Sequence, residues 1–357
     1  MRTPYQLSPP KGLTVTRSGQ SASTTLKTQI TGMSLIWQSL QSQGVSKQAS
    51  NIIIRSWRSG TIQQYQTYLN KWAIFCGKRQ VNPICPSLTE VLDFLTTLFD
   101  EGIQYSGLNT ARSALSSVVK LEGNMPVGQH PLVCRFLKGV FQERPALPRY
   151  TTTWDVGEVL SYLQTLDPSA ELSLKVLSQK LVMLLALLSG QRTQTLKLVH
   201  IHNIRYTEAG CLIYVTSLLK HTRPGVHQEP IKLLPYPADS RLCVVDTLST
   251  YLEKTKSLRG LETQLFISYQ KPYRSVSSDT IRRWIKVVME KAGIDTTIFK
   301  SHSTRAASSS AASAAGVPLD EILSQGGWSN CSTFRRFYHK PVAKNPEYAE
   351  AILKTVN

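Results

Sequence analysis

Apolar residues recur at helical spacing in the first half of the chain. One such stripe consists of Ile62, Tyr65, Leu69 and Trp72. A stripe with this period is typical of an amphipathic helix packed against a core, so the pattern favours core positions for its aromatic residues over platforms that stack on bases. Ser87 followed by Glu90 has the pattern of a capping box, which predicts the start of another helix.

The same half contains two more helical patterns, over 109–120 and 132–140. They complete a helical domain that is predicted over residues 46–142. Residues 1–45 are rich in Ser, Thr, Gln, Gly and Pro, so they are predicted to form a flexible tail. The segment 143–153 begins with ERPALPRY, whose two prolines in an irregular stretch are typical of an interdomain linker.

The second half mixes helical and strand-like patterns, and one domain is predicted over residues 154–357. Helices are predicted over 154–165, 172–189, 243–254 and 279–291. Two strand-like segments, 211–217 and 230–235, flank the turn signal Pro224-Gly225 and are predicted to pair as a hairpin. The predicted fold class is therefore mainly α with a small β-sheet, in two domains, as a chain of 357 residues favours.

Composition is typical of a soluble globular protein. The hydrophobic fraction is 41%. The longest apolar run, Leu181–Leu188, is far shorter than the roughly 18 residues that a membrane span needs. The N-terminus has no apolar stretch of the signal-peptide kind. The six cysteines are scattered without a C-x-x-C pair, which favours reduced thiols in an intracellular protein.

Charge indicates the class of partner. The formal net charge is +18 and the pI is near 9.7, which favours nucleic acid or an anionic membrane surface. No Asp or Glu occurs before Glu90, and the basic residues extend into helical sequence, which favours contacts with DNA phosphates over merely solvated charges. The residues predicted to bind DNA are Arg55, Arg58, Lys71, Lys78, Arg79, Arg282 and Arg283.

Several residues of the second half have the chemistry to cut a phosphodiester without a metal. That reaction needs a nucleophile, positive charge around the phosphate and an acid for the leaving oxygen. Arg192 follows a glycine at a predicted turn, and His302 and Arg305 share one helical face. The motifs downstream are an Ala/Ser-rich helix over 306–315, then Gly326-Gly327-Trp328, and then Tyr338 in the sequence FRRFYH.

The order R…K…H-x-x-R…G-G-W…Y resembles the signature of the tyrosine recombinase (phage integrase-like) family. The run G-G-W-S…T-F-R-R-F-Y-H-K is most similar to recombinases of DIRS-type eukaryotic retrotransposons. The resemblance covers about residues 50–342 and is strongest over 300–341. It implies a helical core-binding (SAM-like) domain, a mixed α/β catalytic domain, and an enzyme that integrates or excises a mobile element through a 3′-phosphotyrosyl intermediate.

The resemblance also implies roles at the matching positions. Arg192 and Arg305 would clamp the phosphate, a task that suits a permanently charged fork of donors. His302 would donate a hydrogen bond or handle a proton. Trp328 stands where many members have a second histidine. Its indole N–H can donate to phosphate but cannot carry a proton, so more of the base role would fall on His302.

Tyr338 would be the nucleophile, with its phenolate favoured by the cationic pocket. Lys220, beside the predicted turn of the hairpin, would be the general acid for the 5′ oxygen; a solvated hairpin lysine is the alternative. Two positions depart from the family pattern. Thr195 stands where many members have an acidic residue, and the spacing from Trp328 to Tyr338 is one residue longer than the commonest one.

Two other functions stay open at this point: a DNA-binding protein that has lost catalysis, and a type IB topoisomerase that only relaxes DNA. No metal site is predicted, because His200-x-His202 has no Cys or carboxylate cluster beside it. No cofactor is expected, and the missing P-loop argues against ATP. The implied partners are double-stranded DNA and further copies of the chain, in a tetramer on two duplexes. The resemblance to eukaryotic recombinases implies that the protein acts in the nucleus. In a non-eukaryotic host it would be cytoplasmic, and secretion is not expected in either case.

Overall fold

The computed structural model describes residues 32–147, 150–220, 222–225, 229–328 and 331–342. The chain divides into two compact units between Leu147 and Pro148. The described part of the first unit has only helices as regular elements, whereas the second combines helices with one three-stranded sheet. This confirms the mainly helical fold class with a small sheet.

The first unit contains helices α1–α6. Their bounds are Gly32–Gln41, Lys47–Arg55, Ser59–Arg79, Leu88–Asp100, Tyr105–Ser116 and Pro131–Glu143. The predicted stripe lies on α3, where Leu69 and Trp72 are fully buried. Trp72 packs edge-on against Phe94 and its indole N–H donates to the Pro83 carbonyl at 2.9 Å. A buried indole needs such an acceptor, and these contacts confirm the core position of Trp72.

The predicted capping box opens α4. Ser87 Oγ accepts from the backbone N–H of Glu90 at 3.3 Å, and the Glu90 carboxylate accepts from the N–H of Ser87 at 2.6 Å. Two helix N–H groups that would otherwise lack partners are thereby satisfied.

The flexible tail predicted for residues 1–45 is wrong from Gly32 onward. Residues Gly32–Gln41 form α1, whose Leu35 and Ile36 are buried in the core of the first unit. Ser39 Oγ also donates to the Val118 carbonyl at 2.8 Å. The polar composition of the segment hides this short helix, because its buried face becomes stable only when α3 packs against it. Residues 1–31 lie outside the described residues.

The second unit contains helices α7–α14 and strands β1–β3. The helices are Val156–Gln164, Leu174–Ser189, Thr193–Lys197, Val244–Lys256, Ser278–Lys291, Thr304–Ala314, Leu319–Gly326 and Cys331–Phe337. The strands are Ile204–Thr207, Gly210–Ile213 and Ile231–Leu233. Helix α8 is the centre of this unit: its run Leu181–Leu187 is buried, and it packs against α10, α11 and α12.

The sheet has the order β1-β2-β3 and is antiparallel throughout. The predicted hairpin is the β2–β3 pair, with Cys211 opposite Leu233 and Ile213 opposite Ile231. Both strands are shorter than predicted, and β1 was not predicted, because only Ile204 of its four residues is buried. The long β2–β3 connection carries Lys220. Among the described helices, none has the length and apolar character of a membrane span.

Candidate active site

Arg192 stands where the central helix ends. Helix α8 stops at Gly190, which adopts a left-handed conformation with φ +58°. Glycine suits this position because it has no side chain to clash there. The chain then turns, as predicted, and Arg192 caps the short helix α9.

His302 and Arg305 lie at the start of α12. His302 is in the 3-10 turn Ser301–Ser303, and Arg305 is in the first turn of the helix. The buried Ser303 hydroxyl accepts from the Trp154 indole N–H at 2.9 Å, which fixes this turn.

The Gly-Gly-Trp motif ends α13. Gly327 has φ +64°, so the chain reverses and the ring of Trp328 folds back over Gly326. A Cβ on Gly326 would lie 1.8 Å from that ring, so a side chain is sterically excluded. Trp328 is buried and packs on Phe334 of α14. Tyr338 follows directly, and its N–H donates to the Phe334 carbonyl at 2.8 Å.

These segments meet around Arg305, which is 1% exposed. Its guanidinium donates to the Gly190 carbonyl and, at 2.8 Å, to the Gly326 carbonyl. It also lies 4.2 Å from the ring centroid of Trp328 and 5.3 Å from that of Tyr338. Arg305 therefore joins the ends of α8 and α13 beneath the tyrosine.

Tyr338 lies between His302 and Trp328. Its hydroxyl is 3.1 Å from His302 Nε2, and its ring centroid is 4.9 Å from that of Trp328. At this distance His302 can accept the phenol proton if its Nε2 is unprotonated.

Three N–H donors of this pocket are buried and have no acceptor within the described residues. They are Arg192 Nη1, Arg305 Nε and Trp328 Nε1. A buried donor without a partner is costly, so a cluster of three calls for an acceptor from outside the described residues. An anionic oxygen-rich group such as a phosphate has the matching chemistry.

The electrostatics of the pocket point the same way. His302 as a residue is exposed, but partial desolvation of its ring, and then the charges of Arg305, Arg192, Lys220 and Arg282, lower the pKa of His302 to about 4. The imidazole is therefore neutral near pH 7. Burial and the charge of Arg192 also hold the pKa of Arg305 below its ordinary value. Two arginines in one pocket repel each other until an anion binds.

Lys220 is less tightly held than the other predicted residues. It is exposed, in a turn of the β2–β3 connection. The charge of Lys220 acts on His302, whereas the charge of Lys232, the lysine on β3, is not among those that lower the pKa of His302. The structure thus brings Arg192, His302, Arg305, Trp328 and Tyr338 into one pocket, with Lys220 at its margin.

The predicted DNA-binding residues differ in their surroundings. Lys71 is ion-paired with Glu101 at 2.5 Å and Arg79 with Asp93 at 2.7 Å, whereas Arg55 and Lys78 are exposed and form no ion pair with any described residue. Arg58 is exposed.

The two arginines predicted on α11 make contacts within their own helix. Arg282 pairs with Asp279 at 2.6 Å, and Arg283 donates to the Thr280 hydroxyl at 3.3 Å. Of the two, Arg282 is close enough to the pocket for its charge to affect His302.

Sequence patterns gave no indication of two further polar links around the site. Gln191 Nε2 donates to the Gln325 carbonyl at 2.7 Å, which reinforces the junction of α8 and α13. Ser310 contacts the backbone beside Tyr338. The Ala/Ser-rich composition of α12 was noted in the sequence, but it did not indicate a specific contact. All six cysteines are free, and the described residues contain no group of three metal-binding side chains.

Comparisons with known proteins identify the fold and the family. The second unit has the fold of a tyrosine recombinase catalytic domain. The model of the phage integrase family matches residues 155–344, just over half of the chain. The chain belongs to the phage integrase family, that is, to the tyrosine recombinases. No curated protein sequence matches it significantly.

Three solved structures illustrate the shared fold. The XerH site-specific recombinase, bound to a palindromic difH substrate, is 14% identical with a TM-score of 0.57, covering 83% of this chain and 80% of that one. The Tn1549 transposon integrase, in complex with transposon right end DNA, is 13% identical with a TM-score of 0.55, covering 91% and 99%. A lambda integrase dimer on a COC′ core site is 17% identical with a TM-score of 0.51, covering 82% and 93%.

Proposed function

We propose that this protein is a site-specific DNA recombinase that cuts and rejoins strands through a 3′-phosphotyrosyl bond on Tyr338. The observation that carries the proposal is a set of three buried N–H donors that have no acceptor among the described residues. They lie beside the Tyr338 hydroxyl, which is 3.1 Å from Nε2 of a neutral His302. The donors match the oxygens of a phosphodiester, and the tyrosine supplies the nucleophile.

The chemistry follows from these positions. Arg192, Arg305 and the Trp328 indole donate to the non-bridging oxygens and stabilise the charge that builds up in the transition state. His302 Nε2 takes the proton as the Tyr338 oxygen attacks phosphorus. The bond from phosphorus to the 5′ oxygen breaks, and that oxygen takes a proton from Lys220. The phosphotyrosyl bond retains the energy of the phosphodiester, so attack by a 5′ hydroxyl rejoins a strand without ATP or metal.

The proposal extends to the biological setting. The G-G-W-S…T-F-R-R-F-Y-H-K run supports a recombinase of a DIRS-type mobile element that acts in the nucleus. The net charge of +18 supports double-stranded DNA as substrate. The DNA-bound relatives named above, one of them a dimer, support self-association on DNA, with a tetramer across two duplexes as the proposed assembly.

The test is covalent trapping on a nicked suicide duplex carrying the terminal sequence of the element that encodes the chain. Wild type should form an adduct that persists in excess EDTA, with the nucleotide mapped by mass spectrometry to the Tyr338 peptide. Tyr338→Phe should bind DNA and form no adduct, whereas the control Tyr236→Phe, at an exposed tyrosine of the same unit, should match wild type.

Three outcomes count against the proposal. A nucleotide on another residue removes Tyr338 from the reaction. DNA binding without any adduct in wild type supports the inactive DNA-binding protein instead. Relaxation of supercoiled DNA without recombinant junctions between two duplexes supports a topoisomerase.

A further inference from the structure

One hydroxyl of the Ala/Ser-rich helix α12 holds the backbone directly after the tyrosine. Ser310 Oγ donates to the Tyr338 carbonyl at 3.0 Å and accepts from the N–H of Lys340 at 2.9 Å. The side chain is buried, with 5% of the residue exposed. A single serine thus bridges the two peptide groups that flank His339.

The contact falls where the helix before it can no longer hold the chain. Helix α14 ends at Phe337, so the carbonyl of Tyr338 has no partner in a following helical turn. Ser310 supplies that partner. Ser309 Oγ lies 3.5 Å from the same carbonyl, but it already donates to the Arg305 carbonyl at 2.6 Å. Without Ser310, the backbone would be held by this longer contact and by the N–H groups of Tyr338 and His339, which donate to the Phe334 carbonyl at 2.8 and 3.1 Å.

The next residues are fixed to the same unit. Lys340 Nζ donates to the Tyr150 carbonyl at 2.9 Å, and the N–H of Thr153 donates to the Pro341 carbonyl at 2.8 Å. The chain on the C-terminal side of Tyr338 is therefore tied to the unit that carries His302 and Arg305, which favours delivery of the phenol to the pocket of its own chain.

We propose that Ser310 is a positioning residue that fixes the Tyr338 backbone, so that the phenol reaches both His302 Nε2 and the phosphate in the pocket of the same chain. This inference rests on the proposed role of Tyr338 as nucleophile. Ser310 touches neither substrate nor the reacting atoms; it acts only through the main chain on each side of His339.

The first experiment measures single-turnover adduct formation on the nicked suicide duplex at saturating protein. Ser310→Ala should lower the rate on the order of 10²-fold, since a nucleophile displaced by about 1 Å loses that much. DNA affinity and the thermal midpoint should stay near wild type. The matched control is Ser308→Ala, on the same helix, whose hydroxyl donates to the Leu187 carbonyl at 2.7 Å rather than to the tyrosine segment.

A second substrate distinguishes an effect of Ser310 on attack by the nucleophile from an effect on departure of the leaving group. A bridging sulfur in place of the scissile 5′ oxygen leaves without needing a proton. The Ser310→Ala defect should persist on this substrate, because attack by Tyr338 is still required. Disappearance of the defect would assign Ser310 to the leaving-group side and overturn the inference.

Two other results would also overturn it: an unchanged cleavage rate in Ser310→Ala, or a loss of rate matched by a loss of DNA affinity and thermal midpoint, as for a general packing role. Failure of the proposed function looks different, because wild type itself would then form no adduct on either substrate.

Discussion

The two pocket arginines have different relations to the fold. The family pattern alone gives them the same role, as the two residues that clamp the phosphate. In the structure, Arg305 is buried and donates to the Gly190 and Gly326 carbonyls, whereas Arg192 keeps a buried donor without an acceptor among the described residues. Arg305 thus supports the fold in addition to its proposed role in the reaction, whereas Arg192 has only the proposed role.

Substitution of each arginine should therefore give different stabilities. Arg305→Ala is expected to lose about 3 kcal/mol in the free energy of unfolding, because two buried carbonyls lose a charged donor. Arg192→Ala should equal or exceed wild type, since a repulsive like charge is removed. Urea unfolding of the free proteins measures both, and an equal loss in both variants would contradict the distinction. Each variant should also lose cleavage on the order of 10²–10³-fold.

The protonation of His302 gives a pH test. In the free protein the ring NMR signals of His302 should titrate near pH 4, far below the ordinary 6.5. Because the folded pKa is depressed, the unfolded chain binds the extra proton first, and this residue lowers stability as pH falls from about 6.5 toward 4. Saturating inorganic phosphate should raise the midpoint by offsetting the arginine charges. A midpoint at or above 6.5 without phosphate would contradict this account.

At the scale of elements, patterns that involve many residues were predictable. Helix α8 has a long apolar run, and the capping box of α4 has two marker residues at fixed spacing. Strand β1 and helix α1 were missed for a common reason. Strand β1 has one buried residue, and α1 is a ten-residue helix with four buried residues at the edge of a segment whose overall composition is polar. Such short signals become structure only through packing with the rest of the unit.

The candidate site likewise has a part that the sequence predicted and a part that it did not. The candidate catalytic side chains were named from the resemblance of their order to the family signature, and the structure brings five of the six into one pocket. The Arg305 contacts to the Gly190 and Gly326 carbonyls were not predictable, because every residue has a backbone carbonyl and sequence does not mark the ones that are used. Nor does a serine in an Ala/Ser-rich helix indicate which hydroxyl will meet a distant segment, as Ser310 does.

At the scale of the whole molecule, the basic residues should contribute unequally to DNA affinity, depending on whether they already form ion pairs. Neutralising Arg55 and Lys78 should reduce the log–log salt slope by about 0.9 for each DNA phosphate that the protein no longer neutralises. Neutralising Lys71 and Arg79 should change the slope less, because Glu101 and Asp93 already partner these cations. Titration of duplex binding against salt compares the two double variants. Equal slopes would show that the ion pairs open on DNA.

The dual role of Arg305 also bears on how such a gene would decay. A descendant that no longer needed to cut DNA could drop Tyr338 and Arg192 at little expense to its fold, but loss of Arg305 would leave the Gly190 and Gly326 carbonyls buried without their donor. Inactive copies should therefore keep this arginine long after the tyrosine has drifted. A related sequence that keeps only Arg305 is therefore expected to fold but not to cut DNA. Related sequences that keep both Arg192 and Tyr338 are expected to be under selection for strand exchange.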